Sequence, residues 1–237
     1  YKPGVDAARL DWQWGEFSQL SLMTVFDYKS ESSKNTGWST NPDWSETSYL
    51  ARVSTLFETF ELAALLGKVN GDDIIGMDFQ GELFEWLGVR GEGHFRFPDE
   101  QGLPRDVKFS LGLEHRFENT LTLRLEQFYQ RSGATNEDDY TILSTIDSTS
   151  FYLARNYTAL GASYEVTPLL LSDVVWLFNH HDDSSLLALY STYSLSDESE
   201  LSMGFNIPIG EQPQNGVLNS EFGSFPKSLS IEYRVYF

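Results

Sequence analysis

Along most of this chain apolar and polar residues alternate one for one. The last segment shows it most plainly. Leu229, Ile231, Tyr233, Val235 and Phe237 interleave with Ser228, Ser230, Glu232, Arg234 and Tyr236. A period of two places the two sets on opposite faces of a β-strand. Leu201, Met203, Phe205 and Ile207 alternate in the same way with Ser202, Gly204 and Asn206, and Val107, Phe109, Leu111 and Leu113 with Lys108, Ser110, Gly112 and Glu114. The pattern predicts thirteen strands: residues 7–14, 17–28, 48–57, 60–69, 74–84, 87–97, 107–117, 120–131, 151–166, 169–179, 185–195, 199–209 and 228–237. Most are about ten residues long, the length of a tilted strand that crosses a bilayer. Two segments show the period poorly: 169–179 is apolar at every other position on both faces, and 60–69 mixes small and apolar residues.

The connections carry a second regularity. Short ones (Gly15-Glu16, Glu58-Thr59, Glu85-Trp86, Glu118-Asn119, Thr167-Pro168, Asp197-Glu198) alternate with longer ones at 29–47, 70–73, 98–106, 132–150, 180–184 and 210–227. Aromatic residues flank the short turns, among them Trp14, Phe17, Phe57, Phe60, Phe84, Trp86, Phe117, Tyr164 and Tyr193. Short turns at one membrane face, longer loops at the other and an aromatic girdle are features of transmembrane β-barrels. A soluble sandwich would also alternate, but it has no reason to line its turns with aromatics. The fold class read from this is all-β, an antiparallel up-and-down transmembrane β-barrel, with residues 1–237 forming a single barrel domain. Thirteen is an odd number, and strand 7–14 would run inward. The expected arrangement is therefore the C-terminal part of a barrel of about 14–18 strands, with further N-terminal strands or another chain beside strand 7–14.

Composition changes this picture little. Hydrophobic residues make up 41% of the chain and aromatics 15%, and no stretch approaches a spanning helix. Cysteine is absent, which removes thiol catalysis, CxxC metal sites and disulfides. The formal net charge of −19 argues against a nucleic-acid partner. Charge placement says more. The polar faces of the predicted strands carry Arg9, Arg52, Lys68, Arg90, Arg96, Lys108, Arg116, Arg124 and Arg234, balanced one for one by Asp11, Glu61, Asp78, Glu82, Glu92, Glu114, Glu126, Glu165 and Glu232. The acidic excess is thereby assigned to loops and turns. Charges cannot face hydrocarbon cheaply, so these point inward whatever the function. They form either a structural ion-pair lattice or a ladder that orients a polar solute. The pore-lining candidates are Arg90, Glu92, His94, Arg96, Lys108, Glu114, Arg116, Arg124, Glu126, Glu232 and Arg234. Loops 29–47 and 132–150 are long enough to fold inward and plug a lumen.

The final strand resembles the assembly signal of outer-membrane proteins, with Phe237 at the terminus and Val235 and Tyr233 at alternate positions before it. That resemblance implies recognition by the barrel-assembly machinery and residence in the outer membrane of a Gram-negative bacterium, among its lipid and lipopolysaccharide. More broadly the chain is similar to porin-type barrels and, loosely, to alginate-export-like channels. The segments Asn156-Tyr-Thr-Ala-Leu-Gly-Ala-Ser-Tyr-Glu-Val-Thr-Pro and Ser220-Glu-Phe-Gly-Ser-Phe-Pro resemble pieces of uncharacterised proteobacterial barrels. The strand count and the charged lining lead to the expectation of a channel for passive diffusion of small polar solutes. The competing expectation is a scaffolding barrel closed by a plug or partner protein.

No enzyme, cofactor or metal is expected. His180-His181-Asp182-Asp183 could activate water at an external rim, but all four lie in one short loop, and a solvated acidic turn is the plainer reading. His115 falls on the lipid face with no serine assignable beside it, so a phospholipase arrangement is not supported. The acidic clusters Gly71-Asp-Asp, Pro98-Asp-Glu and Asn136-Glu-Asp-Asp lack the spacing of a calcium loop and read as solvated charge, or as bridges through divalent ions to lipopolysaccharide phosphates.

Overall fold

The computed structural model of the chain describes residues 6–27, 43–99, 104–140 and 152–236. Thirteen strands form one antiparallel sheet in sequence order, each paired with its chain neighbours. They are β1 (Ala7–Trp14), β2 (Ser18–Val25), β3 (Ser48–Phe57), β4 (Phe60–Val69), β5 (Asp72–Leu83), β6 (Leu87–Phe97), β7 (Asp106–Arg116), β8 (Thr122–Gln130), β9 (Asn156–Thr167), β10 (Leu170–Asn179), β11 (Ser185–Ser196), β12 (Ser199–Ile209) and β13 (Ser228–Val235). The predicted strands match this order one for one. The largest boundary error is at β9, where residues 152–155 belong to the preceding connection. No described helix is long and apolar enough to cross a membrane. Two compact units share the sheet, Tyr1–Glu82 with Arg90–Phe109, and Leu83–Val89 with Ser110–Phe237.

In both units the register sorts the side chains into an apolar and a polar face. Leu10 stands opposite Leu22, which stands opposite Ala51. In the second unit Ile231 stands opposite Met203, Leu189 opposite Phe205, and Leu160 opposite both Leu125 and Trp176. A one-residue slip would exchange the faces of a whole strand, so a consistent apolar face fixes the register. That face is uncovered: Leu10, Met77 and Ile231 are each more than 60% exposed. Among the described residues buried hydrophobic ones are few, namely Ala63, Tyr140, Ala154, Tyr157 and Phe222. A water-soluble sheet protein hides its apolar face against a second layer. Here that face is what would meet lipid.

The turn chemistry follows the short connections. Glu58, Phe84, Glu85 and Thr120 adopt positive φ, as does Gly15. Trp14, Phe17, Phe57, Trp86, Phe117, Tyr164 and Tyr193 are exposed beside these turns, as a girdle at a membrane–water boundary requires. One connection departs from the expected alternation. Residues 70–73 do not form a long loop: Asn70 (φ 49°) and Gly71 (φ 86°) make a two-residue hairpin between β4 and β5. Asn-Gly is the preferred pair for such a turn because both positions need positive φ.

Candidate pore-lining face

In the first unit the polar face carries Arg9, Arg52, Arg90, Arg96 and Lys108 against Asp11, Glu61, Asp72, Asp78, Glu82, Glu92 and Asp106. Alternate positions of β6 bring Arg90, Glu92, His94 and Arg96 onto that face. Arg96 pairs through Nε and Nη2 with Asp72, and Asp72 also accepts the Asp99 amide at 3.1 Å. Arg52 reaches Asp78 at 3.0 Å and lies 3.9 Å from Glu61. Lys108 lies 4.0 Å from Asp106. Asp11 accepts from Arg9 (3.0 Å), Gln19 (3.0 Å) and Ser21 (2.6 Å).

In the second unit a chain of polar contacts crosses four adjacent strands. Ser110 of β7 donates to Glu126 of β8 at 2.9 Å. Arg124 of β8 donates to Glu114 of β7 at 2.6 Å and to Ser163 of β9 at 2.8 Å. Ser163 in turn donates to Asp173 of β10. Arg116 pairs with Glu165 at 3.0 Å. On β13, Arg234 grips Glu232 at 2.7 Å and Glu200 of β12 at 2.9 Å. Every candidate pore-lining residue thus shares the polar face of its unit. Tyr233 and Val235 lie on the apolar face, exposed, and Phe237 falls outside the described residues.

Three readings need correction. Lys68 is not on the polar face: it stands opposite Tyr49 and Asp73 and shares the apolar face with Leu62 and Leu66. The face of β4 could not be read because Leu62, Ala63, Ala64, Leu65 and Leu66 run unbroken. Four carboxylates belong to the polar face instead, Asp72, Asp106, Asp173 and Glu200. Asp72 and Asp106 open strands that start one or two residues earlier than predicted. Asp173 sits on the doubly apolar β10, where its charge alone would have identified the inner face. The wall is therefore acidic in each unit and not balanced. In the second unit Arg116, Arg124 and Arg234 face Glu114, Glu126, Glu165, Asp173, Glu200 and Glu232. Finally, two clusters read as solvated are so only in part, since Asp73, His180 and Asp183 are exposed but Asp72 and Asp182 are engaged. Asp72 is buried on Arg96, and Asp182 is built into a network at the outer ends of the strands.

Among the described residues of the second unit, that network is the one substantial core. Phe128, Tyr157, Leu177 and Leu186 project from the polar faces of β8, β9, β10 and β11. Onto them pack Tyr140, Leu153 and Ala154 of the β8–β9 connection, and Leu218 and Phe222 of the β12–β13 connection. The β12–β13 connection and the described parts of the β8–β9 connection therefore fold over the polar face. Inward folding was anticipated for 132–150, but residues 141–150 lie outside the described residues, as do most of 29–47. The β12–β13 connection was not anticipated.

Glu221, 2% exposed, lies at the centre. It accepts the Leu153 amide (3.0 Å), the Tyr157 hydroxyl (2.5 Å) and the Asn179 amide group (2.9 Å). Asp182 accepts the Tyr140 hydroxyl (2.9 Å), the Glu221 amide (2.7 Å) and the Ser184 amide (2.8 Å). Gln130 clamps the same segment by donating to the carbonyls of Tyr152 and Ala154, both at 2.7 Å. Burial, joined by the nearby Asp182, holds the Glu221 carboxyl above its ordinary range against the Tyr157 hydroxyl and the Leu153 and Ala154 amides, which pull it down. Burial likewise raises the hydroxyls of Tyr140 and Tyr152.

His115 is on the apolar face as predicted. Its Nδ1 is 2.8 Å from the Trp86 carbonyl, and its ring packs edge-on against Trp86 and Phe117. That is an aromatic-girdle position with no nucleophile attached. His180 and His181 hydrogen bond to Thr158 and Asn156, which are structural partners. Among the described residues no group of three or more histidines and carboxylates could hold a metal ion.

A consecutive antiparallel sheet, apolar and uncovered on one face, charged on the other, is the fold of the outer-membrane β-barrel porins. No protein-family model matches the chain, and no curated protein does. Among solved structures it is similar to the outer-membrane porin OccK3 (OpdO) of Pseudomonas aeruginosa, with a TM-score of 0.58 at 10% sequence identity. The match covers 97% of this chain and 67% of that one. At that identity the likeness establishes the fold and nothing finer.

Proposed function

We propose that the chain forms the wall of an outer-membrane channel through which small polar solutes diffuse passively. The observation that carries this is the polar face: rows of charged side chains, held in place by cross-strand ion pairs, on a sheet of porin fold. Arg90, Glu92, His94, Arg96, Lys108, Glu114, Arg116, Arg124, Glu126, Glu232 and Arg234 line it on this reading. Its bases are mostly engaged by neighbouring carboxylates. Glu82 and Glu92 make no side-chain hydrogen bond or ion pair among the described residues, and carboxylates outnumber bases on the face, so its net charge is negative. The pore should therefore favour cations. Tyr233, Val235 and Phe237 would serve barrel assembly. The test is single-channel recording of the full-length protein in a planar bilayer. Discrete conductance steps with cation-leaning reversal potentials are expected, and absence of any conductance above leak would overturn the channel reading.

A second reading, a scaffolding barrel with a closed lumen, draws on one observation. The β8–β9 and β12–β13 connections are packed onto the polar face and not raised away from it. A silent bilayer combined with co-purification of a stoichiometric partner chain would favour it.

A further inference from the structure

We propose that Glu221 is a latch that holds the β12–β13 connection folded over the polar face, and that the position of this connection limits the width of the channel. The inference rests on the channel reading above. Its geometric content concerns the second unit alone.

The β12–β13 connection spans residues 210–227 and returns toward the sheet through a short 3₁₀ turn, Phe222–Ser224. A connection of this length between two paired strands needs no inward excursion, since β12 and β13 are joined directly in the ladder. Something must bring it inward, and the attachments are few. Phe222, 1% exposed, inserts its ring beside Tyr157 at a centroid distance of 6.3 Å. Its amide donates to Ser184 at 3.2 Å. Leu218 packs on the same cluster, and among the described residues the other hydrogen bonds to neighbouring elements run through Glu221. Its carboxylate binds Tyr157 of β9, Asn179 of β10 and the Leu153 amide of the β8–β9 connection, and its own amide binds Asp182 of the β10–β11 turn. One residue therefore ties one connection to two strands, a second connection and a turn.

Burying a carboxylate is costly unless hydrogen bonds replace its hydration. Among the described residues no lysine or arginine makes an ion pair with Glu221 or Asp182. A hydrophobic residue at 221 would cover the polar face without that cost. What a carboxylate adds is direction. Three donors from three elements meet two oxygens, which fixes where the connection sits and not merely that it is buried. The donors are themselves held: the Tyr157 hydroxyl receives the Ala154 amide at 2.5 Å, and the Asn179 side chain also reaches Tyr140 at 3.0 Å. Two segments singled out in the sequence, around Tyr157 and around Glu221, thus meet in one contact.

The groups facing Glu221 are Tyr157 from β9, Asp182 from the β10–β11 turn, and Tyr140 and Tyr152 from the β8–β9 connection. Glu126 of β8 lies beyond Tyr152, and His181 is engaged on Asn156 and the Thr135 carbonyl. The latch is compared at one pH so that none of these changes state between variants.

The experiment uses the full-length protein, wild type beside Glu221→Ala, Glu221→Gln and Tyr157→Phe. Amide hydrogen exchange is measured at constant pH, together with single-channel conductance. Glu221→Ala is expected to speed exchange of the Leu153, Glu221 and Phe222 amides by about tenfold or more, leaving Met203 and Ile231 in the strand ladder unchanged. The open-channel conductance should rise, or split into additional larger levels. Glu221→Gln keeps one acceptor and should fall between wild type and the alanine variant; simple space-filling would instead make it match wild type, because glutamine has nearly the same volume. Tyr157→Phe removes one donor without emptying the core, and covers the case in which the alanine variant does not fold. Unchanged exchange in both Glu221→Ala and Tyr157→Phe overturns the latch. Faster exchange with unchanged conductance overturns the claim that the connection limits the channel. Faster exchange in a protein that never conducts, wild type included, leaves the latch standing and removes the channel reading beneath it.

Discussion

Arg124 illustrates how a charge is managed on the polar face. It is shared between Glu114 on one side and Ser163, itself bonded to Asp173, on the other. Arg124 and Glu114 are each about two-fifths exposed, so water screens the pair. Exposed pairs of this kind contribute about 0–1 kcal/mol. Arg124→Ala should therefore unfold at nearly the wild-type denaturant concentration. It leaves Glu114 and Asp173 without their base, so the reversal potential in a salt gradient should move toward cation selectivity. A shift toward anions would show that Arg124 is not on the conducting face. Buried partners behave differently. Tyr157→Phe orphans the Ala154 amide and leaves Glu221 Oε2 with Asn179 as its remaining donor, and losses of this kind cost about 1–3 kcal/mol. Glu221 also links the packed connections to pH. Its folded carboxyl titrates above the free value, so protons bind more tightly to the packed form. The packing contribution is then fully present below the free carboxylate range and is lost as pH rises through the raised value. Protection factors of the Leu153 and Phe222 amides, corrected for intrinsic exchange, should fall across that window in wild type and stay flat in Glu221→Gln.

At the scale of elements, each strand is defined by what its two faces meet. On β13 Ile231 is 63% exposed on the apolar face, and Ser230 is its neighbour on the polar one. Arginine facing hydrocarbon at the bilayer midplane costs about 2–4 kcal/mol. Ile231→Arg should lower the folding free energy in lipid vesicles by an amount of that order, measured by urea titration. Ser230→Arg, one residue away, should cost well under half as much. Equal penalties would mean that the faces of β13 have been exchanged. Lys68 is the natural exception to the rule. It lies on the apolar face of β4, but two residues from the Asn70-Gly71 turn, where its stem can cover apolar surface while the ammonium reaches the headgroup layer.

For the molecule as a whole, the sign and place of charge are the governing facts. The chain carries a formal net charge of −19, and carboxylates outnumber bases on the polar face of each unit as well as in the loops. Electrostatic attraction from surface charge decays over about 10 Å at 0.1 M salt and about 3 Å at 1 M. Loop charges alone would lose their influence at high salt. Charges along the wall lie within reach of any ion that passes. Cation selectivity is therefore expected to be strong at 0.1 M salt and weaker, yet measurable, at 1 M. Bilayer reversal potentials at the two concentrations decide this, and a selectivity that vanishes at 1 M would assign it to the loops.

The sequence by itself determined the strands, their order and, for most of them, which side chains share a face. That information is local: alternation with period two, short turns and flanking aromatics are written in neighbouring residues. It failed where the local signal was absent, on β4 with its unbroken apolar run and on β10, apolar on both faces. Those misreadings moved Lys68 to the wrong face and hid Asp173, and so made an acidic wall look balanced. Only the tertiary structure decided what lies on the polar face at the outer ends of the strands. Tyr157 and Glu221 are 64 residues apart, and nothing in either segment signals the other. Glu221, Asp182 and Asn179 are polar residues in connections or at a strand end, where the default expectation is solvation. Their burial follows from three connections converging on one stretch of sheet, and convergence depends on distances through space that no periodicity along the chain encodes.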